Sequence, residues 1–232
     1  MARAFDAAGY DVWVTDVDAG AIGALPAGIT GRLCDVTDEA MVAGVLAEVG
    51  ELDVLCANAG IAGPTALVED VALEAWRRCV SVNVEGAFLA AKHALPGMKA
   101  AGSGAVIFTS STAGIFGYPN RAPYAAAKWA IIGLMKTVAM EAGSFGVRAN
   151  AICPGAVEGA RMEGVLAREA QAKGMTRDQV YDGYAAGTSM RSFVEAQDVA
   201  DMALFLASDG ARRVSGQVIA VDGHTENPDP KL

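Results

Sequence analysis

Three side chains near the middle of the chain have the types and spacing needed to move a proton on and off an oxygen. Tyr124 and Lys128 lie four residues apart in Pro123-Tyr124-Ala125-Ala126-Ala127-Lys128, ahead of an apolar run from Trp129 to Met135. Proline is tolerated in a first helical turn and alanine is the best helix former, so Asn120 to Met140 reads as a helix beginning near Arg121. On such a helix the phenol and the ammonium share one face. A neighbouring cation favours tyrosinate, so Tyr124 should titrate below its reference value of about 10. That suits a proton donor and acceptor for alcohol–carbonyl chemistry. Taken alone, the pair is equally a packed tyrosine beside a solvated lysine. Ser111 gives it company thirteen residues upstream, in Val106-Ile107-Phe108-Thr109-Ser110-Ser111-Thr112-Ala113-Gly114. An apolar run ending in hydroxyl residues and glycine reads as a buried strand entering a loop. In open α/β sheets the ligand crevice lies at the carboxyl ends of the strands, where this serine would stand.

The elements around these residues alternate between strand and helix. Met1 to Ala8 is helix-like and Gly9 ends it; Val12-Trp13-Val14-Thr15 is a strand closing on Asp16, and Ile29 to Leu33 is another. Thr37 or Asp38 caps a helix running to Val49. Asp53 to Ala57 is the next strand, turning over at Asn58-Ala59-Gly60. Val71 to Lys99 reads as one long helix, with Pro96-Gly97 marking a bend or break. Asn83 lies inside it, and asparagine is a poor helix former, so it is expected to hydrogen-bond something specific. Val147 to Cys153 is a strand that runs into Pro154-Gly155-Ala156-Val157. Residues 160–195 are helical and glycine-punctuated, Glu195 opens a last helix through Leu206, and Ser215 to Gly223 contains the last strand.

Composition fits one α/β domain with a sheet buried on both faces. The chain has 232 residues, 53% hydrophobic and 19% charged. A net charge of −9 without a basic stripe argues against nucleic acid as a partner. Cys34, Cys56, Cys79, Cys153, His93 and His224 lack metal-ligand spacing, so no metal is expected and the cysteines read as reduced thiols. No apolar run reaches ~18 residues and no signal peptide is visible, so neither membrane nor export is expected and the protein reads as cytoplasmic.

Ser111, then Tyr124-x-x-x-Lys128, with Asn58-Ala59-Gly60 after a strand and Asn83 in Asn83-Val84-Glu85-Gly86, resembles the short-chain dehydrogenase/reductase family. The resemblance implies a Rossmann-like, doubly wound parallel sheet and an NAD(P)-dependent oxidoreductase interconverting a secondary alcohol and a ketone. It implies Asn83, Ser111, Tyr124 and Lys128 as the catalytic residues. Cofactor contacts would come from Asp16, Asp35, Val36, Asn58, Ala59, Gly60, Tyr124, Lys128, Pro154, Gly155 and Val157. Asp16 would meet the adenosine ribose, where a carboxylate repels a 2′-phosphate, so NAD is expected rather than NADP. As a turn residue or an N-cap of Ala19 to Leu25, Asp16 has an ordinary explanation as well. Where the family usually has a threonine two residues after the Val157 position, this chain has Gly159.

A larger departure concerns the start. Aligned by the resemblance, Met1 to Asp16 match the family's first helix and second strand, and the first strand with its glycine-rich phosphate turn is missing. That strand lies mid-sheet, so its loss leaves two unpaired inner edges. Three readings fit: a fragment or mis-started chain, a rearranged or swapped oligomer, or a partly disordered amino-terminal third. The first is adopted. Loss of several charge-assisted contacts of ~1.5–3 kcal/mol each predicts weak cofactor binding and impaired activity. The alternative function is a catalytically impaired dehydrogenase-fold protein serving as a structural or binding subunit. Residues 160–195 are expected to form a substrate lid and 224–232 a flexible or interface-docked tail. The helix from Tyr124, apolar on several faces, predicts a homo-oligomer, a dimer or tetramer.

Overall fold

In the computed structural model, which describes residues 1–229, the chain alternates strand and helix as one α/β domain. In order the elements are α1 (Ala2–Ala7), β1 (Val12–Asp16), α2 (Ala19–Gly23), β2 (Ile29–Leu33), α3 (Glu39–Val49), β3 (Val54–Ala57), α4 (Leu73–Val80), α5 (Gly86–Ala101), β4 (Gly104–Thr109), α6 (Ala122–Ala142), β5 (Val147–Pro154), α7 (Ala160–Lys173), α8 (Arg177–Ala186), α9 (Ala196–Ala207) and β6 (Val218–Val221). All strand pairs are parallel. β4 and β5 are buried along nearly their whole length, as expected of strands covered on both faces. Successive residues feed opposite layers. Val106 and Phe108 pack with Ile131 and Met135 of α6, and Ile107 packs with Val199 and Leu206 of α9.

Among the described residues the strands form two hydrogen-bonded sheets, β1-β2 and β3-β4-β5-β6, with no ladder between β1 and β3. Side-chain packing joins them. Phe5 of α1, Val12 of β1 and Ile29 of β2 share one apolar cluster with Ile107, Ile152, Val199 and Leu206. On the other side Cys34 and Val42 pack with Leu89 of α5.

Several expectations need correction. The long helix is not uniform: between α4 and α5, Ser81–Glu85 form a π-helical turn with Asn83 buried at its centre. Pro96 does not break α5, which continues to Ala101 and ends at Gly102 in the left-handed conformation. Most of the apolar surface of α6 is covered within the chain. Ile131, Ile132, Met135 and Val138 are buried while Trp129 stays exposed, because α4, the π turn and a short turn at Thr112–Gly114 pack on α6 beside the sheet. The expected helix at Ala19 to Leu25 stops at Gly23, and Asp18, not Asp16, caps it. Asp38 caps α3. The tail is docked on its own chain: the N–H groups of Glu226 and Asn227 both donate to the Gly187 carbonyl, and Asp229 accepts from Lys173 at 2.6 Å. Residues 230–232 of that expected tail lie outside the described residues.

Phe108 is fully buried in β4, three residues before Ser111. Phe108→Ala is expected to lower unfolding free energy by about 3–5 kcal/mol, read as a lowered urea midpoint with an unchanged slope.

Candidate active site

Three strands deliver residues to one cleft at their carboxyl ends. Ser111 follows β4, Pro154 and Gly155 close β5, and Asn58 follows β3; with Tyr124 and Lys128 of α6 they line a cleft of about 390 Å³. Val157, Arg161 and Met162, at and before the start of α7, line it too, as do Arg121 and Tyr184. A more open groove of about 620 Å³, lined by Gly63, Ala75, Arg78 and Arg168 among others, contains none of the catalytic candidates.

Lys128 is the most constrained of these residues. It is buried, and its Nζ donates to the Thr109 carbonyl at the end of β4, at 2.8 Å. Burial holds its pKa below the ordinary lysine value, and Arg161 pushes it the same way against the pull of Tyr124. Tyr124 lies beneath two cations, with Lys128 Nζ 5.6 Å and the Arg121 guanidinium 4.7 Å from its ring centre. Burial works to raise the Tyr124 pKa, yet Lys128, Arg161, a hydrogen bond with Ser111 and Arg121 together bring it below the ordinary tyrosine value. The Ser111 Oγ also accepts from the Ala113 N–H at 3.2 Å, which fixes its rotamer.

Asn83 is buried under the Asn58-Ala59-Gly60 turn. Its Nδ2 donates to the carbonyls of Cys79 at 2.8 Å and Ile61 at 3.0 Å, while its Oδ1 is buried with no partner. A Cβ on Gly60 would collide with that Oδ1 and stand 3.6 Å from Lys128 Nζ, so glycine is required there by close approach. An orphan acceptor and an ammonium with donors to spare thus flank one point beside Tyr124. A π turn is a recurrent device at functional sites, and here it sets Asn83 at that point.

The remaining candidates scatter more widely. Asp16 ends β1, exposed, with its Oδ1 accepting from the Asp18 N–H at 3.0 Å. Asp35 follows β2; the Thr37 backbone and hydroxyl donate to its Oδ1 and hold its pKa below the usual carboxylate range. Val36 packs over Gly86, where a Cβ would press on it. Neither acid lines the cleft. Gly155 is forced by packing, since a Cβ there would stand 2.9 Å from the Asp222 Cα. Val157 bridges Val194 in parallel fashion, through Glu158 N–H to the Val194 carbonyl and Val194 N–H to the Ala156 carbonyl, which leaves its own N–H outside the bridge. Gly159, with φ +133°, is the N-cap of α7 and gives it no side-chain cap.

Sequence reasoning passed over Arg121 and Glu169. Both are buried, and they face each other beside Tyr124. A signal existed: Glu169 interrupts the apolar stripe Val165, Leu166, Ala170, an unusual place for a lone carboxylate.

The chemistry of these groups fits the nicotinamide-ribose half of a dinucleotide: a buried ammonium with free donors, a lowered phenol and a free backbone N–H around one cleft. An α/β sheet with a Ser/Tyr/Lys/Asn constellation at its strand ends defines an oxidoreductase of the nucleotide-dependent type. A family model described as enoyl-(acyl carrier protein) reductase matches residues 1–224. The chain belongs to the short-chain dehydrogenase/reductase family.

The chain is 39% identical over 193 residues to cis-4-hydroxycyclohexanecarboxylate dehydrogenase of Sinomonas cyclohexanicum, covering 82% of this chain and 73% of that one. It is 37% identical over 224 residues to 2-keto-3-deoxy-L-fuconate dehydrogenase of Xanthomonas campestris pv. campestris, covering 95% and 73%. Among solved structures it resembles NAD⁺-bound xylitol dehydrogenase, with TM-score 0.92 and 27% identity over 96% of this chain and 92% of that one. It also resembles a variant of actinorhodin polyketide ketoreductase with NADPH, with TM-score 0.89 and 30% identity over 97% and 91%. These matches do not confirm the expected loss of a first strand and glycine-rich turn, nor the impairment expected from it, and they leave NAD against NADP undecided.

Because Tyr124 is lowered largely by Lys128, the earliest phenolate absorbance on alkaline titration is expected to vanish in Tyr124→Phe. In Lys128→Met it should move to higher pH, by about one unit or more; ultraviolet difference spectra read both.

Proposed function

We propose that this chain catalyses NAD-linked interconversion of a secondary alcohol and a ketone, on a substrate that also carries a carboxylate. The observation behind the reaction is the lowered, cation-flanked Tyr124 within hydrogen-bond reach of Ser111. Tyr124 exchanges a proton with the substrate oxygen. Ser111 hydrogen-bonds that oxygen and orients it. Lys128 lowers the Tyr124 pKa and holds the nicotinamide ribose, and Asn83 supports a water beside Lys128. The nicotinamide cofactor, when bound, supplies or accepts the hydride. Asn58, Ala59, Gly60, Pro154, Gly155 and Val157 line its nicotinamide end, and Asp16, Asp35 and Val36 its adenosine end.

NAD is preferred here over NADP on charge. Asp16 and Asp18 stand together at the end of β1, and the nearby Arg32 of β2 is paired with Glu48. No unpaired cation is therefore offered from that strand to a 2′-phosphate. The assembled, electrostatically tuned constellation favours turnover over a purely structural role.

The carboxylate rests on Arg161. It lines the cleft near enough to act on Tyr124, and its side chain makes no hydrogen bond or ion pair among the described residues. The two relatives named above take substrates whose names denote carboxylates. Exposed Phe88 of α5 and Trp129 of α6 are the apolar residues that support a homo-oligomer built on these helices.

Tyr124→Phe is expected to lower kcat by about 10²–10⁴ with unchanged circular dichroism. Arg161→Gln should raise KM for a hydroxycyclohexanecarboxylate about ten- to hundredfold and leave KM for cyclohexanol unchanged. Absence of NAD- or NADP-dependent turnover on any secondary alcohol, acidic or neutral, would refute the assignment.

A further inference from the structure

A second set of buried charged and hydroxyl groups lies against the catalytic candidates, on the side of α7 and α8. Glu169 of α7 is 2% exposed. Its Oε1 accepts from the Tyr184 hydroxyl of α8 at 2.7 Å and from Arg121 Nη1 at 3.3 Å, and its Oε2 lies 3.5 Å from Lys173 Nζ. Arg121, 6% exposed, precedes α6; its Nη2 reaches the Ala62 carbonyl at 3.5 Å and its Nε is buried without a partner. The carbon of this guanidinium lies over the Tyr124 ring, 4.7 Å from its centre. Few other contacts hold it there. A buried guanidinium with one orphan nitrogen and two long hydrogen bonds depends on its carboxylate for both charge balance and orientation.

We propose that Glu169 is a positioning residue of the reaction: docked through α7 and α8, it clamps Arg121 on the Tyr124 ring and so makes proton exchange at Tyr124 conditional on the cleft being covered. This rests on Tyr124 as the proton donor and acceptor. The covering pair and the proton-exchanging side chain are thereby joined by one ion pair. When α7 and α8 lift, Arg121 loses its carboxylate partner, and the charge over Tyr124 is freed to turn toward water. Docking restores it. The tail strengthens the docked form, because Asp229 accepts from Lys173 on the same helix as Glu169.

The groups facing Tyr124 are Lys128 and Arg121 flanking its own helix, Arg161 from α7, and Ser111 and Tyr118 from the segment after β4, with Glu169 of α7 and Tyr184 of α8 reaching it only through Arg121 and Tyr118. Burial pushes Tyr118 up to about 12, so it titrates well after Tyr124. The clamp then fixes the directions. Glu169→Gln keeps the size and an acceptor oxygen but removes the anion that holds Arg121, so the guanidinium turns from the phenol toward water; tyrosinate loses. Arg121→Gln removes the cation; tyrosinate loses.

The test is the alkaline phenolate titration of each variant, read as a difference from the same variant carrying Tyr124→Phe, together with the pH profile of kcat/KM for alcohol oxidation. Relative to the unsubstituted protein, Glu169→Gln and Arg121→Gln should each move both midpoints up, by about one pH unit. The double variant leaves no lone buried charge, so it tests the idea even where a single substitution prevents folding; because Glu169 acts through Arg121, its midpoint should lie above that of the unsubstituted protein and match that of Arg121→Gln. Midpoints that stay in place in every folded variant, or that move down in Glu169→Gln because only an anion has gone, would overturn the proposal and leave Glu169 a structural residue or a bare counter-charge. The absorbance reading needs neither cofactor nor substrate. A protein that turned over no alcohol would therefore sink the assigned reaction while the titration still decided the clamp.

Discussion

A lysine ammonium taken almost entirely out of water is the costly element on which this site depends. Desolvating such a charge costs several kcal/mol unless donors find acceptors and an opposing charge is at hand. Lys128 has the Thr109 carbonyl at the end of β4, and a neighbouring phenol whose ionised form it stabilises. The strand end, the helix start and the tyrosine are therefore fixed relative to one another by the need to satisfy a single Nζ. Gly60 and Asn83 complete the enclosure, the glycine by having no side chain where the ammonium and the amide oxygen converge. Burial makes the ammonium a stronger influence on Tyr124, since the same low polarity that penalises the charge strengthens its reach.

Local residue pattern revealed the parts of the site that recur at short range. Tyr124 and Lys128 could be placed because four-residue spacing on an alanine-rich helix has one geometric meaning. The strands β1 to β6 could be placed because apolar runs bounded by glycine and polar residues leave little choice. What the pattern could not give was anything decided by tertiary contact. The π turn at Ser81–Glu85 looks like ordinary helix in sequence, because propensity does not distinguish the two. Pro96 was misleading for a related reason: its missing N–H and its ring were accommodated inside α5. The Arg121–Glu169 pair joins residues 48 positions apart, and only folding brings them together. The docked tail depends on a backbone approach at Gly187 so close that a Cβ there would strike the Asn227 carbonyl.

Packing also explains how two hydrogen-bonded sheets act as one layer. β1 and β2 contribute Val12 and Ile29 to the same apolar cluster as Ile152 of β5, and α1 rests on α9. The hydrophobic effect has no direction, so it joins the two sheets without a ladder between them. The arrangement puts the acids Asp16 and Asp35 on one sheet and Ser111, Asn58 and Pro154 on the other. A ligand contacting both sets would bridge the two sheets, adding a connection that the backbone itself does not supply.

The π turn has a consequence for what changes the chain can absorb. A π turn holds one residue more than an α turn, so the stretch between α4 and α5 absorbs a surplus residue without turning the faces of the two helices apart. Deleting one residue from Ser81–Glu85 would remove the surplus and allow an unbroken α-helix, with the faces of α5 kept much as they are. Ala87, Ala91 and Met98 would still face the core and Phe88 and Lys92 the solvent, but Asn83 would lose the wide turn that sets it under Gly60. Every local preference for helix would be better satisfied by the shorter chain, while the site would lose its buried amide.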